Sequence, residues 1–256
     1  MRVLQTNLNL AAWAQDLLIQ TMSELRVGLP VAAEPYRVPN RPDDLGSVAI
    51  LSSEAVPFSV LAKGRGYVAA CYGGLAVVGV YALPSLSHAS FETLLDRIRD
   101  CVQSHCRARP TLDLEDFNSK ATACGCPGTD ARGDTVLEWA AGLDLWLLNR
   151  GSVNTFSGRW GGSIVDISWA SPAAAGIVSG WRVAEEVETL SDHLYILFDI
   201  SADQHGRPAR RPAGRQPSRR WELGRLDEDA LMAAALAMSW AETQPEPVDD
   251  VEAEEK

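Results

Sequence analysis

The amino-acid sequence predicts an α/β fold in which two packed, mixed sheets are flanked by helices. Three observations carry this expectation. A strand-like stretch at Val3–Asn9 passes directly into helical periodicity at Ala11–Leu25. Four strand-like runs then crowd between residues 47 and 81, with no room for helices among them. Helical segments at 90–104 and 134–142 separate the strands that follow.

Val3–Asn9 alternates apolar and polar side chains, as a half-buried strand does. In Ala11–Leu25 the apolar residues Ala14, Leu17, Leu18, Met22 and Leu25 fall on one helical face. Gly28–Ala33 is an apolar run suited to a buried strand, and it stops at Glu34-Pro35-Tyr36. The runs Ser47–Leu51, Phe58–Ala62, Gly66–Tyr72 and Leu75–Tyr81 predict antiparallel strands, with Gly73-Gly74 as a hairpin turn. Ser90–Ser104 carries Phe91, Leu94, Leu95, Ile98 and Cys101/Val102 on one helical face. Thr111–Phe117 is a strand ending in Asn118-Ser119-Lys120. A helix at Asp134–Gly142 precedes strands at Leu145–Asn149, Ile164–Ser168, Trp181–Val187 and Leu194–Ile200. Trp139, Trp146, Trp169 and Trp181 are expected in the core rather than as base-stacking platforms.

The 256 residues suit one large domain or two small ones, and 46% hydrophobic content excludes collagenous, coiled-coil and wholly disordered chains. We read 1–200 as one α/β domain, 201–220 as an Arg/Pro-rich linker, 221–240 as a helix and 241–256 as an acidic disordered tail. The longest apolar run, around Leu75–Leu83, contains Gly79 and ends at Pro84, well short of the roughly 20 residues of a membrane helix. Asn7 and Asn9 interrupt any secretory pattern at the N-terminus, so an intracellular, nuclear setting is expected, without a membrane partner. The five cysteines (Cys71, Cys101, Cys106, Cys124, Cys126) are then reduced. Their spacing departs from paired zinc knuckles, and buried free thiols are expected.

Net charge is −11, which argues against a general nucleic-acid coat. Acidity does not exclude an enzyme whose carboxylates hold divalent cations at a phosphodiester, because the metal inverts the local charge. The balance reverses locally: Arg207, Arg210, Arg211, Arg215, Arg219, Arg220 and Arg225 face only Glu222. That cluster reads equally as a contact for an RNA or DNA backbone and as a solvated linker.

Asn7, Glu34, Tyr81, Asp116, Asn118, Asp166 and Asp192-His193 each fall at or beside the end of a strand-like run. Strand ends of a layered α/β fold meet at one rim, where loops on a rigid scaffold hold reactive groups. Singly, most have ordinary readings as turn, cap or exposed strand residues. Asp166 is the exception, because it sits between apolar residues where an unpartnered acid is costly. Together the residue types suit metal-assisted phosphodiester hydrolysis. Carboxylates hold the cation and orient water, and an imidazole meets the charge that accumulates on phosphate.

The ordered motifs Asn7-Leu8-Asn9, Glu34-Pro35-Tyr36, Val80-Tyr81, Asp116-Phe117-Asn118, Ile164-Val165-Asp166 and Ser191-Asp192-His193 resemble the endonuclease/exonuclease/phosphatase superfamily. Gln5-Thr6-Asn7-Leu8-Asn9, Asp130-Ala131-Arg132-Gly133 and Thr189-Leu190-Ser191-Asp192-His193 look like the endonuclease domain of non-LTR retrotransposon polyproteins. The resemblance implies a four-layered, DNase I-like α/β sandwich and a Mg²⁺-dependent endonuclease, with Mn²⁺ as a substitute, acting on DNA. It implies that Glu34 ligates the metal with Asn7 and Asn9 beside it and Asp192 in support. Asp116 and Asn118 would activate water, Tyr81 would contact the scissile phosphate, and Asp166 would orient His193. Thr155, Phe156 and Arg159 would lie on the substrate loop.

The chain departs from the family pattern at three places. Glu115 stands where Gly usually precedes the catalytic Asp, and a carboxylate there is expected to disturb the metal or to raise the pKa of Asp116 by like-charge repulsion. Asn154 replaces a common Pro, and Cys124 a common Trp. Two further readings stay open: a relic that binds without cleaving, and a superfamily hydrolase acting on a phospholipid or inositol phosphate.

Overall fold

The computed structural model describes residues 1–37, 42–52, 56–159 and 161–201. The Arg207–Arg225 cluster, the expected helix and acidic tail, and all of the expected linker but Ser201 lie outside the described residues.

Alternation in the first segment forms β1 (Arg2–Asn7), and the helical stripe that follows forms α1 (Ala12–Glu24), which buries Ala14, Leu18 and Thr21. The wholly buried β2 (Val27–Ala33) and short β3 (Val48–Ile50) come next. A meander of β4 (Phe58–Gly64), β5 (Tyr67–Tyr72) and β6 (Leu75–Tyr81) follows. At its tight turn Gly73 and Gly74 have φ of 57° and 100°, the left-handed backbone that a two-residue hairpin needs and that side chains disfavour. Helix α2 (His88–Cys101) starts where Ser87 Oγ accepts from the Ser90 N–H, and it ends in a π-helical turn at Val102–Cys106.

The second half contains β7 (Thr111–Asp116), α3 (Ala131–Gly142), β8 (Trp146–Leu147), β9 (Phe156–Gly158), β10 (Gly161–Ser163), β11 (Asp166–Ala170), α4 (Pro172–Ala175), β12 (Val178–Val183) and β13 (Ile196–Ile200). Helix α3 begins three residues before the apolar periodicity indicates, because Asp130 caps it: its carboxylate accepts from the Gly133 N–H at 2.7 Å. The β9–β10 hairpin was not expected, since its glycine-rich sequence shows no apolar alternation.

Two mixed sheets result, ordered β12-β13-β1-β2-β3 and β4-β5-β6-β7-β11-β8. The β1–β2 and β6–β7 pairs are parallel. Of the four crowded runs, β4–β6 form an antiparallel meander, but β3 leaves it to pair antiparallel with β2 in the other sheet. Val31, Ile50, Val77, Leu112 and Phe198 pack between the sheets. Leu4, Leu8 and Leu18 join α1 to one outer face, and Phe91, Phe117, Trp139 and Trp169 join α2 and α3 to the other. The order is therefore helix, sheet, sheet, helix.

Trp139 and Trp169 are core residues, as expected, and Trp181 is half-buried. Trp146 is not, at 55% exposed: β8 is a two-residue edge strand whose alternation turns Leu147 inward and the indole outward. Cys101, Cys106, Cys124 and Cys126 are buried free thiols, and Cys71 is half-buried.

Between the sheets, Gln5 on β1 reaches the opposite sheet. Its Nε2 donates to the carbonyls of Glu115 and Ile167, each at 3.0 Å, and its Oε1 accepts from Ser168 Oγ at 2.7 Å. This buried amide fixes the end of β1 against the ends of β7 and β11.

Candidate active site

Strand register brings the acids together. In β7, Asp116 pairs with Tyr81 of parallel β6 on one side and with Asp166 of antiparallel β11 on the other. These three side chains lie abreast at one end of their sheet. Across from them Asn7 ends β1 opposite Ala33, and Glu34 follows immediately. Glu34, Asn9 and Asn118 all hold φ between 46° and 49°, a strained backbone that turns the chain sharply at each strand end.

Asn7 joins the two sheets. Its Nδ2 donates to Asp116 Oδ2 at 2.8 Å and to Glu34 Oε2 at 3.0 Å, while its Oδ1 accepts from the Asn9 N–H at 2.7 Å. Asp116 Oδ1 accepts from the Asn118 N–H at 3.0 Å, and Asn118 Nδ2 donates to the Ala82 carbonyl at 3.1 Å. The Tyr81 hydroxyl faces the Glu34 carboxylate. Burial and then the neighbouring Glu34 carboxylate push its pKa up.

The second half of the site is an ion pair. His193 Nδ1 lies 2.8 Å from Asp166 Oδ2, and both side chains are almost fully buried. Asp192 Oδ1 lies 3.9 Å from His193 Nε2, so the imidazole is flanked by carboxylates on both edges. Burial opposes charge on the ring, but Asp166 and then Asp116 and Asp192 outweigh it and raise its pKa to about 9. The ring is therefore an imidazolium at neutral pH.

Asp116 is pushed up to about 7, first by burial and then by the Asp166 charge. His193, Asn7 and the Asn118 N–H pull it back only partly. An acid so crowded by negative charge calls for a further cation. Carboxylate oxygens from Asp116 and Glu34 are hard donors of the kind that binds Mg²⁺ or Mn²⁺, and the Asn7 amide holds them together through its Nδ2 while its oxygen turns to the Asn9 N–H. Among the described residues, Asp116, Asp166 and His193 form the group whose ligand atoms all lie within 4.8 Å of one another.

Several expected residues sit otherwise. Glu115 does not touch Asp116: neighbouring strand residues point to opposite faces, so Glu115 lies on the helix-covered side of its sheet, and the like charge that raises Asp116 is Asp166. Thr155 cannot meet substrate, since it is fully buried and its hydroxyl accepts from the N–H groups of Val165 and Asp166, each at 3.1 Å. It positions Asp166. The Phe156 ring packs tilted against the His193 ring, with centroids 5.0 Å apart, and Arg159 is exposed beyond it on the β9–β10 hairpin. Asn9 is exposed and meets the cluster through its backbone, and Asp192 stands at the imidazole rather than beside Glu34.

Two residues without an assigned task in the sequence prove to be braces. Ser191 Oγ donates to the Asn7 carbonyl at 2.9 Å and accepts from the His193 N–H at 3.3 Å, tying both halves of the site. The Arg132 guanidinium donates to the carbonyls of Leu83, Pro84 and Leu86, holding the loop after Tyr81, and it lies 4.8 Å over the Phe91 ring. A serine beside the Asp-His pair and the Asp130–Gly133 motif were the available signals.

Residues 75–197 match the endonuclease–reverse transcriptase family. Among solved structures, the endonuclease domain of TRAS1, a telomere-specific non-LTR retrotransposon, is similar with a TM-score of 0.70 and 25% identity, over 79% of this chain and 99% of that one. An AP endonuclease from Archaeoglobus fulgidus gives 0.62 and 13% identity, and a 3′-5′ exonuclease from Neisseria meningitidis gives 0.58 and 18%. Each match covers 79% of this chain and all of the other. No curated protein matches the chain. The architecture is thus the DNase I-like fold of the endonuclease/exonuclease/phosphatase superfamily.

Proposed function

We propose that this chain, which has the endonuclease/exonuclease/phosphatase fold and resembles a retrotransposon endonuclease domain, is a divalent-metal-dependent endonuclease that nicks DNA and leaves a 3′-hydroxyl. The observation that carries the reading is the Asn7 amide, which holds Glu34 and Asp116 together beside the Asp166–His193 ion pair.

Glu34 and Asp116 would hold the cation, with Asn7 beside them, because His193 Nδ1 and Asp166 Oδ2 are already bonded to each other. When bound, Mg²⁺ or Mn²⁺ neutralises phosphoryl oxygens and the departing 3′-oxygen. Asp116, once ionised, accepts the proton of the attacking water, and Asn118 helps to orient that water. The new P–O bond forms as the bond to the 3′-oxygen breaks. His193 is kept charged by Asp166 and presents Nε2 to the phosphoryl oxygen, where negative charge grows. The Tyr81 hydroxyl meets a second phosphate oxygen. Phe156 and Arg159 face the substrate from the β9–β10 hairpin.

The structural neighbours are named as enzymes acting on nucleic acid, and one Neisseria structure is titled as bound to a product DNA hairpin. That supports DNA as substrate, in the nucleus on this reading, with the 207–225 arginines adding RNA or DNA backbone contacts. No helix among the described residues is long and apolar enough to cross a membrane. The non-cleaving relic loses its main motive once Glu115 is seen to face away from Asp116. A substrate panel with phospholipid and inositol phosphates separates the remaining superfamily chemistry.

The test is nicking of supercoiled plasmid with Mg²⁺ or Mn²⁺. Asp116→Ala, His193→Ala and EDTA should each abolish it. A wild-type protein that nicks nothing with either metal defeats the proposal.

A further inference from the structure

A cleft of about 320 Å³ opens beside Tyr81, and its lining includes none of Asn7, Glu34, Asp116, Asp166 or His193. Two arginines face it: Arg65, on the turn between β4 and β5, and Arg97, on α2. Its apolar part is made by Leu45, Leu83, Leu86 and Leu94. Both arginines are exposed, and among the described residues neither pairs with a carboxylate, whereas Arg2, Arg99 and Arg182 do. In a chain of net charge −11, two guanidinium groups on separate elements, without a carboxylate partner among the described residues, converge on one hollow.

The wall that carries Arg65 is held on both sides. Asp43 is 2% exposed, and its carboxylate accepts from Ser47 N at 2.6 Å, Ser47 Oγ at 2.8 Å, Val48 N at 3.1 Å and Gly66 N at 2.7 Å. The Gly66 carbonyl in turn accepts from the Tyr81 N–H at 2.9 Å. Arg65 therefore projects from a turn bonded directly to the backbone of Tyr81, a site residue, and little ordering is required on binding.

We infer that this cleft is a nucleotide subsite. It takes the DNA nucleotide next to the scissile phosphate, with the backbone phosphate on Arg65 and Arg97 and the nucleoside against the leucines. The volume lies at the lower end of small-molecule sites, roughly 300–1,000 Å³, which suits one nucleotide. Guanidinium forks match phosphate oxygens in pairs, and an apolar floor accepts a base face without reading it. The assignment rests on the nuclease reading for what lies at Tyr81.

Two measurements on the full chain test it. The first is anisotropy of a fluorescein-labelled DNA duplex of about 20 base pairs in EDTA, where nothing is cut. Arg65→Ala/Arg97→Ala should weaken binding about tenfold and lower the slope of log Kd against log salt by about 1, for the one phosphate that the pair no longer neutralises. Arg65→Lys/Arg97→Lys should restore the slope. Equal affinity and slope in wild type and the alanine variant overturn the subsite, whether or not the protein cleaves DNA. The second is hydrolysis of bis(p-nitrophenyl) phosphate, a diester without a flanking nucleotide. The alanine variant should hydrolyse it as wild type does while its KM for plasmid rises. An equal loss on both substrates would make the arginines structural and also overturn the subsite. If wild type cuts neither substrate, the nuclease reading fails, and anisotropy still decides the binding site.

Discussion

The side chain of Gln5 donates to the backbone carbonyl of Glu115 at 3.0 Å, crossing from one sheet to the other one residue before the acid that completes β7. Asn7 lies two positions further along the same face of β1, so this bond sets where its amide meets Asp116. Gln5→Leu leaves two carbonyls and the Ser168 hydroxyl without their buried partner. A cost of about 3 kcal/mol is expected from unsatisfied groups of this kind. Urea unfolding should show a lower midpoint at unchanged slope, and kcat for nicking should fall more than KM rises.

His193 owes its charge to Asp166. Burial alone would lower its pKa, and the carboxylate at 2.8 Å outweighs burial to bring it to about 9. If the imidazolium meets the phosphate, kcat/KM falls as pH rises through about 9. Asp166→Asn withdraws the negative charge, so the alkaline limb should move to lower pH, with a rate loss of about 10²–10⁴-fold. A pH–rate profile checks this. An alkaline limb that stays in place would assign it to another group.

Metal binding should separate from the role of His193. Glu34→Gln and Asp116→Asn should each weaken Mg²⁺ binding by about tenfold or more in isothermal titration, because both carboxylates converge on the Asn7 amide. His193→Gln should bind Mg²⁺ nearly as wild type does and yet fail to nick plasmid. Weakened Mg²⁺ binding in His193→Gln would instead point to the Asp116–Asp166–His193 group as the cation seat.

Most strands were legible because alternation and apolar runs survive in the sequence, and because the site residues stand at run ends. What periodicity does not encode is which strands lie side by side. The convergence of Tyr81, Asp116 and Asp166 follows from the β6-β7-β11 order, which composition does not reveal. The β9–β10 hairpin is glycine-rich and shows no period, so Thr155 gave no sign that its hydroxyl braces Asp166. Glu115 differs. Strand parity alone puts it on the face opposite Asp116, and the expectation of repulsion between them set that parity aside.

That parity has a consequence for stability. Asp113 and Glu115 sit 0% and 1% exposed on the helix side of β7, and neither carboxylate makes a hydrogen bond. Trp169 Nε1, the polar group that acts on Glu115, completes none either. Burial raises Asp113 from 3.8 to about 8 and drives Glu115 up as well, helped by the Asp113 charge. Between those values the folded chain keeps a proton on Asp113 that the unfolded chain has released. The contribution of Asp113 to stability is therefore greatest at and below about pH 4 and falls as pH rises to about 8, by about 1.4 kcal/mol per pH unit, then levels off, and Glu115 adds a loss of the same sign. Asp113→Asn and Glu115→Gln replace each acid with a side chain that cannot ionise, so Tm at pH 8 should rise while Tm at pH 5 changes little. Glu115→Gln should also nick plasmid as wild type does, since its side chain never reaches the site. Thermal unfolding at the two pH values decides the matter: a wild-type Tm higher at pH 8 than at pH 5, or variants that keep the full pH slope, would mean that these acids ionise freely in the folded protein.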